Sequence, residues 1–250
     1  MISVCMAVYN GDKYVLQQIS SILCQLNAGD ELIVIDDCST DSTVSLIQSV
    51  PDPRIKLSRN PRNLGVFKSF ENAVNLSAGE IIFLSDQDDL WHKTKVAKII
   101  SAFDLNSEVT MIATDATVID GDGAVRSESF FAGRGAFKAG LIDTIVKNKY
   151  LGCTLAFRKS LKDILLPIPA DVPMHDIWFG AMNATYGKTY FIDEPLISYR
   201  RHADNVSPES SSNSRIQAYW RYLLVKNILK RVYSLRGRGL FSFKKITFLT

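Results

Sequence analysis

Five short apolar runs bounded by turn residues, Ile2–Val8, Glu31–Ile35, Arg54–Ser58, Glu80–Leu84 and Val109–Ala113, alternate with segments of helical periodicity. Each run has strand length. Between the first two, Tyr14 to Leu26 puts Val15, Ile19, Ile22 and Leu26 on one helical face, and Val66, Phe70, Ala73 and Val74 repeat that spacing further on. Asp41 and Ser42 supply N-cap chemistry for a helix near Val44–Val50, and Gly79 closes the helix ending at Ser77–Ala78. Strands alternating with helices imply an α/β fold, with a mostly parallel sheet flanked by helices on both faces and ligands held beyond the carboxyl ends of the strands.

The loops at those ends carry the chemistry. Tyr9-Asn10-Gly11 follows the first strand, Asp36-Asp37 the second and Asp86-Gln87-Asp88-Asp89 the fourth. Three carboxylates thrown from a buried strand end repel one another, and a hard cation with oxygen ligands relieves that repulsion. Magnesium or manganese held by one or two carboxylates completes its shell with water and substrate phosphates. The plainer alternative is a solvated acidic turn that caps the helix near Lys93.

Other phosphate chemistries fail on residues. No GxxxxGK[ST] loop is present, and Gly133-Arg134-Gly135 is followed by Ala136-Phe137-Lys138, which breaks a dinucleotide fingerprint. Asp89-Leu90-Trp91 stands where an aspartyl-phosphate enzyme would want a hydroxyl soon after its second aspartate. Beyond Ala113 the pattern loosens, with a hairpin turn at Asp120-Gly121-Asp122-Gly123, a Gly-rich, mobile segment at Phe131–Gly135, and a helix from Asp176 to Tyr186.

Taken together, Met6-Ala7-Val8-Tyr9-Asn10-Gly11, Val34–Asp41, Asn60-Pro61-Arg62-Asn63-Leu64-Gly65 and Leu84–Asp89 resemble family 2 glycosyltransferases, inverting enzymes of the glycosyltransferase A fold. Gly152–Phe157, Met174-His175-Asp176-Ile177-Trp178 and Ser198-Tyr199-Arg200-Arg201-His202 extend the resemblance to about residue 206. The later motifs are most similar to the bacterial branch that builds O-antigen and capsule, including rhamnosyltransferase-like enzymes.

The resemblance implies a wall for the nucleotide base from Ala7, Val8 and Tyr9, with Asp37 accepting the imide N–H of a UDP- or dTDP-sugar and Lys68 near the base or diphosphate. It implies Asp86 and Asp88 as the DxD pair, Asp88 as the direct ligand of Mn²⁺ or Mg²⁺ and Asp86 nearer the ribose, while Asp89 braces the loop or caps a helix. Asp176 matches the catalytic base. His202 corresponds to a histidine that reaches the metal or diphosphate, or is a surface loop residue. His175, Trp178 and Cys153 fall on the acceptor side, where Trp178 offers its face to a sugar or packs its helix. Arg200 and Arg201 are candidates for pairing with phosphate. Cys38 stands where glycine is frequent. A nucleotidyltransferase and a non-catalytic sugar-nucleotide-binding protein are the alternatives, although Tyr9-Asn10-Gly11-Asp12-Lys13 lacks the Gly-rich basic loop of the former.

Charge is unevenly spread. After Glu209 there are nine Lys or Arg and no Asp or Glu, which leaves 20 basic against 26 acidic residues in 1–209. The expected organisation is a catalytic domain over 1–209, with a nucleotide-sugar half (1–115) and an acceptor half (116–209), then a basic amphipathic segment over 210–250. In that segment Ile216, Tyr219, Trp220, Leu223, Leu224 and Ile228 fall at helical spacing, which suits either an anionic membrane surface beneath a lipid-linked or saccharide acceptor or packing on the domain itself. The acidic remainder argues against nucleic acid. Ser210–Ser214 reads as a linker, and Phe241, Phe243 and Phe248 order on binding. The four cysteines have no metal-like spacing, no leader is evident and no run reaches a membrane span, so the expected location is cytoplasmic, peripheral at the inner face of the plasma membrane.

Overall fold

A computed structural model describes residues 1–202 and 213–237. Of the expected linker Ser210–Ser214, residues 210–212 lie outside the described residues and Ser214 already opens the last helix; the boundary after Glu209 and Phe241, Phe243 and Phe248 also lie outside them. Four parallel strands come first: β1 (Ile2–Val8), β2 (Glu31–Asp36), β3 (Ile55–Arg59) and β4 (Ile81–Ser85), in the order β3-β2-β1-β4. The first, second and fourth are buried nearly throughout, as strands covered on both faces must be. Alternate residues divide between the layers. Val4, Met6 and Val8 of β1 face α1 (Val15–Leu23), α2 (Thr43–Gln48) and α4 (Lys95–Leu105), while Cys5 and Ala7 face α3 (Val66–Leu76).

The second half is richer in strands than its sequence pattern suggests. β5 (Leu90–Trp91), β6 (Met111–Asp120), β7 (Val125–Ser127), β8 (Ala156–Arg158) and β9 (Thr189–Arg201) complete a nine-stranded sheet in the order β3-β2-β1-β4-β8-β6-β9-β5, with β7 beside β6. β8 runs antiparallel to both β4 and β6, and β9 is parallel to β6. The loosening expected after Ala113 is therefore a correction to make. β6 runs seven residues past Ala113, through Thr114, Asp115 and Thr117, which are polar yet buried. Register shifts on either side of Asp115 mark a bulge, and its Oδ1 accepts from the N–H groups of Ala116 and Phe130.

Helices α5 (Leu141–Val146), α6 (Lys162–Leu165), α7 (His175–Tyr186) and α8 (Ser214–Gly237) pack on the α3 side. The α7 boundary lies one residue before the expected Asp176 start. Two capping expectations change. Asp41 caps α2 alone, its Oδ1 accepting from Thr43 N at 3.0 Å, since Ser42 makes no side-chain cap bond. Helix α3 stops at Leu76, and Gly79 serves close approach instead: a Cβ there would sit 2.6 Å from the Ile2 carbonyl carbon. The β6–β7 hairpin turns at Asp120–Gly123 as expected, with Asp120 Oδ1 accepting from Asp122 and Ala124. On α8, Leu224, Ile228 and Leu235 enter the core, while Ile216, Tyr219 and Trp220 of the expected stripe are exposed. Among the described residues no helix is long and apolar enough to cross a membrane.

Candidate active site

The carboxyl ends of β1, β2 and β4 converge, and each loop there is held by a named side chain. Asn10 and Cys38 have left-handed backbones, with φ of 48° and 69°. Cys38 thus occupies the conformation that makes glycine frequent at such a turn. Asn10 Oδ1 accepts from Thr40 N at 2.9 Å, and Asn10 N donates to Ser39 Oγ at 3.0 Å, so the first two loops form one unit. Val8 is buried, Ala7 partly so, and Tyr9 is 45% exposed, leaving its ring available to a ligand.

Asp37 is buried at the mouth of β2. Its Oδ1 accepts from Asn60 Nδ2 and Leu64 N, and its Oδ2 from Gly65 N, all at 2.8 Å. A carboxylate has about four acceptor sites, so three internal bonds leave room for one more donor. Lys68, on α3, pairs with Glu71.

The acidic loop after β4 is bound from three directions. Gln87, which the sequence pattern did not single out, clamps it to β1: Oε1 accepts from Tyr9 N at 2.7 Å and Nε2 donates to Tyr9 O at 3.1 Å. Gly11 makes room for that amide, because a Cβ at Gly11 would lie 2.5 Å from Gln87 Oε1. Gln18 of α1, also unremarked in the sequence, donates to Ser85 Oγ at 2.8 Å and Asp86 O at 3.1 Å. The third direction is the end of β9. Arg200 N donates to Asp89 Oδ1 at 2.9 Å, Arg200 Nε donates to Asp88 O at 2.8 Å, and His202 Nε2 lies 2.7 Å from Asp88 Oδ2. Arg200 is 3% exposed and also donates to the carbonyls of Asp120 and Gly121. The phosphate-pairing expectation for Arg200 is therefore corrected to a brace; Arg201 donates to Tyr199 Oη at 3.0 Å.

Electrostatics follow from this enclosure. Burial first, then the charges of Asp88 and Asp176, pushes Asp86 up to about 7. Asp89 is pushed well above the usual range by burial and by Asp88 and Asp86. Its Oδ2 is buried and among the described residues meets no N–H or O–H donor, with the Cys153 thiol beside the carboxyl. Beneath the loop lies Lys95, fully buried, donating to Cys153 O at 2.8 Å and 4.1 Å above the Trp91 ring. Burial lowers it to about 8. Ligand atoms of Asp86, Asp89 and Cys153 all lie within 4.8 Å of one another. Cys153 is therefore under the acidic loop, where burial raises its thiol well above the ordinary value.

Asp176 opens α7 and is 8% exposed. Burial raises its carboxyl to about 7 against the Ile177 N–H, which donates to Oδ1 at 2.6 Å, and the Asn148 side chain. His175 is buried on Phe70 at 4.5 Å between ring centroids, and burial lowers it to about 4. Among the described residues neither of its ring nitrogens meets a hydrogen-bond partner. Trp178 is fully buried, its Nε1 donating to Leu165 O at 2.8 Å, so it packs its helix and presents no face to a sugar.

Residues 3–165 match the family model described as Glycosyl transferase family 2. The chain belongs to this family. A family 2 glycosyltransferase of this kind is similar to an uncharacterized glycosyltransferase of Haemophilus influenzae, 31% identical over 121 residues that cover 48% of this chain and 38% of that one. It is also similar to the Escherichia coli UDP-Glc:alpha-D-GlcNAc-diphosphoundecaprenol beta-1,3-glucosyltransferase WfgD, 25% identical over 259 residues covering 99% of this chain and 96% of WfgD. Among solved structures, Staphylococcus aureus TarS residues 1–349, in complex with UDP-GlcNAc, superposes with a TM-score of 0.68 at 18% identity, covering 98% of this chain and 76% of that one. At that identity the likeness establishes the glycosyltransferase A type fold.

Proposed function

We propose that this glycosyltransferase inverts the anomeric centre of a UDP- or dTDP-sugar as it passes the sugar to a saccharide or lipid-linked acceptor in surface polysaccharide synthesis. The observation that carries the reading is the acidic loop after β4, where Asp86, Asp88 and Asp89 are held at the carboxyl ends of the parallel strands by Gln87, Gln18, Arg200 and His202; the charge of Asp176 is near enough to add to the rise of Asp86. The names of WfgD and of the TarS complex support a UDP-linked donor and a diphosphate-lipid acceptor.

In this reading residues 1–115 hold the donor, 116–209 the acceptor, and 210–250 form an appended basic segment. The base lies against Ala7, Val8 and Tyr9, and its imide N–H takes the acceptor site left on Asp37. Lys68 exchanges Glu71 for the diphosphate. The acidic loop fits a divalent cation: Asp86, Asp88 and Asp89 offer hard oxygen donors, the orphaned Asp89 Oδ2 among them. The protonated Cys153 thiol beside them is a poor ligand for Mg²⁺ or Mn²⁺. His202, held on Asp88, is the remaining candidate ligand. When bound, the ion supplies positive charge against the departing diphosphate oxygens.

The chain's own residues supply the rest. Asp176 accepts the proton of the acceptor hydroxyl as the new C–O bond forms, while the bond from the anomeric carbon to the diphosphate oxygen breaks on the opposite side and its electron pair leaves with the diphosphate. A positioned base contributes about 10²–10⁴ in rate. His175, neutral beside Asp176, is enclosed by Phe67, Phe70 and Phe179 with both ring nitrogens closed off from solvent, so it packs the start of α7 and does not meet an acceptor hydroxyl. Thermal-shift titration tests the donor side: UDP or dTDP raises the melting temperature with Mn²⁺, and the shift disappears on chelation. An equal shift with ADP would remove Asp37 and its neighbours from the role of base pocket.

A further inference from the structure

Helix α8 has two apolar faces, and among the described residues only one of them is packed. Leu224, Ile228 and Leu235 enter the core, and Asn227 bonds Asp171 Oδ1 at 2.7 Å. Arg221 donates to Val146 O, and Arg231 to the carbonyls of Ile164, Leu166 and Pro167. These contacts hold the helix as a fixed surface feature. The opposite side carries Tyr222, Val225, Leu229 and Tyr233 at helical spacing, with exposures of 63%, 37%, 64% and 81%. Tyr219 stands beside them at 59%. The patch continues onto α5, which Arg221 ties to α8, through Ile142 at 68% and Val146 at 57%.

Charge selects what covers it. Helix α8 has six Lys or Arg and no Asp or Glu. Arg215 and Lys230 are exposed among the tyrosines. Among the described residues, Asp171 pairs with Lys226 of α8 at 3.2 Å and Asp143 of α5 with Lys138 at 3.8 Å. A second copy of the chain would set cations against cations with no carboxylate on the helix to offset them. We infer that the outward face of α8, extended by α5, is a docking surface for an anionic membrane, with the tyrosines at the headgroup level and the aliphatic side chains just below. Of the stripe evident in the sequence, Leu223, Leu224 and Ile228 are buried and Tyr219 adjoins the docking face, whose other members, Tyr222, Val225, Leu229 and Tyr233, lie outside that stripe. This assignment is independent of the transfer chemistry proposed above.

The test is co-sedimentation of the full chain with phosphatidylcholine vesicles with and without phosphatidylglycerol, alongside sedimentation velocity without lipid. The expected result is binding to the phosphatidylglycerol vesicles only, weakening as salt rises. Tyr222→Ser/Leu229→Ser/Tyr233→Ser, which alters only exposed side chains, abolishes binding and leaves donor hydrolysis unchanged. Arg215→Gln/Lys230→Gln weakens it by about fivefold per cation. Failure of the wild-type chain to bind phosphatidylglycerol vesicles at low salt would overturn the assignment. So would a lipid-free dimer that the triple variant dissociates, or undiminished vesicle binding by both variants.

Discussion

Asp176→Asn separates the chemical role of this carboxyl from the cost of burying it. In the folded chain the carboxyl keeps its proton up to about pH 7, against an ordinary value of 3.8. The unfolded chain releases that proton near 3.8, so between these values the folded state binds more protons and stability falls as pH rises, becoming constant above about 7. A shift of roughly three units at 1.36 kcal/mol each amounts to ~4 kcal/mol at pH 8 and ~1.5 kcal/mol at pH 5. Asparagine carries no charge and is free of this penalty. The variant is therefore expected to be more stable than wild type by ~4 kcal/mol at pH 8 and by much less at pH 5, measured by urea denaturation at both values. In parallel, transfer falls by about 10²–10⁴ while UDP affinity is retained, and the rise of wild-type activity through pH 7 disappears. A stability difference that does not change with pH would refute the desolvation argument, and full turnover would remove Asp176 from the base role.

Three further outcomes follow from the same geometry. Gln87→Ala breaks both bonds to the Tyr9 backbone at about 1 kcal/mol each, so UDP affinity measured by calorimetry drops by roughly tenfold or more; unchanged affinity would show that the clamp does not shape the base wall. Lys95→Met removes the buried ammonium that donates to Cys153 O and leaves that carbonyl unpaired, which costs about 1–3 kcal/mol in denaturant unfolding; an unchanged midpoint would show that the hydrogen bond only offsets the burial of the charge. Cys38→Gly relieves a left-handed residue that costs roughly 1–2 kcal/mol and raises Tm by a few degrees, whereas a lower Tm would mean that the thiol makes contacts worth more than the backbone strain.

The sequence was legible where burial is uniform and illegible where polar groups are buried. Strands β1 to β4 stand out because both faces are apolar, so their ends and the residues beyond them, Tyr9, Asp37 and Asp86–Asp89, were locatable. The end of β6 is hidden in the sequence because Thr114, Asp115 and Thr117 break the apolar run, yet inside the fold Thr114 Oγ1 donates to Asp115 O and Asp115 Oδ1 accepts from the Phe130 N–H. β9 alternates poorly and contains Pro195. Gln87 was overlooked because a glutamine between aspartates signals nothing by itself; its meaning is in Gly11, 76 positions earlier, which leaves the space it fills. Arg200 looked like a phosphate ligand because an arginine pair beside a histidine has that chemistry, and only the path of β9 shows that its guanidinium is spent on carbonyls.

The final strand has a bearing on biosynthesis. His202 meets a carboxylate 114 positions upstream, and the stretch matched by the family model ends at residue 165, before Asp176 and β9. A nascent chain can thus complete most of the sheet while its acidic loop is still unlatched. Commitment to function comes late in translation, and a product truncated short of that closing arm would be folded in part but inert.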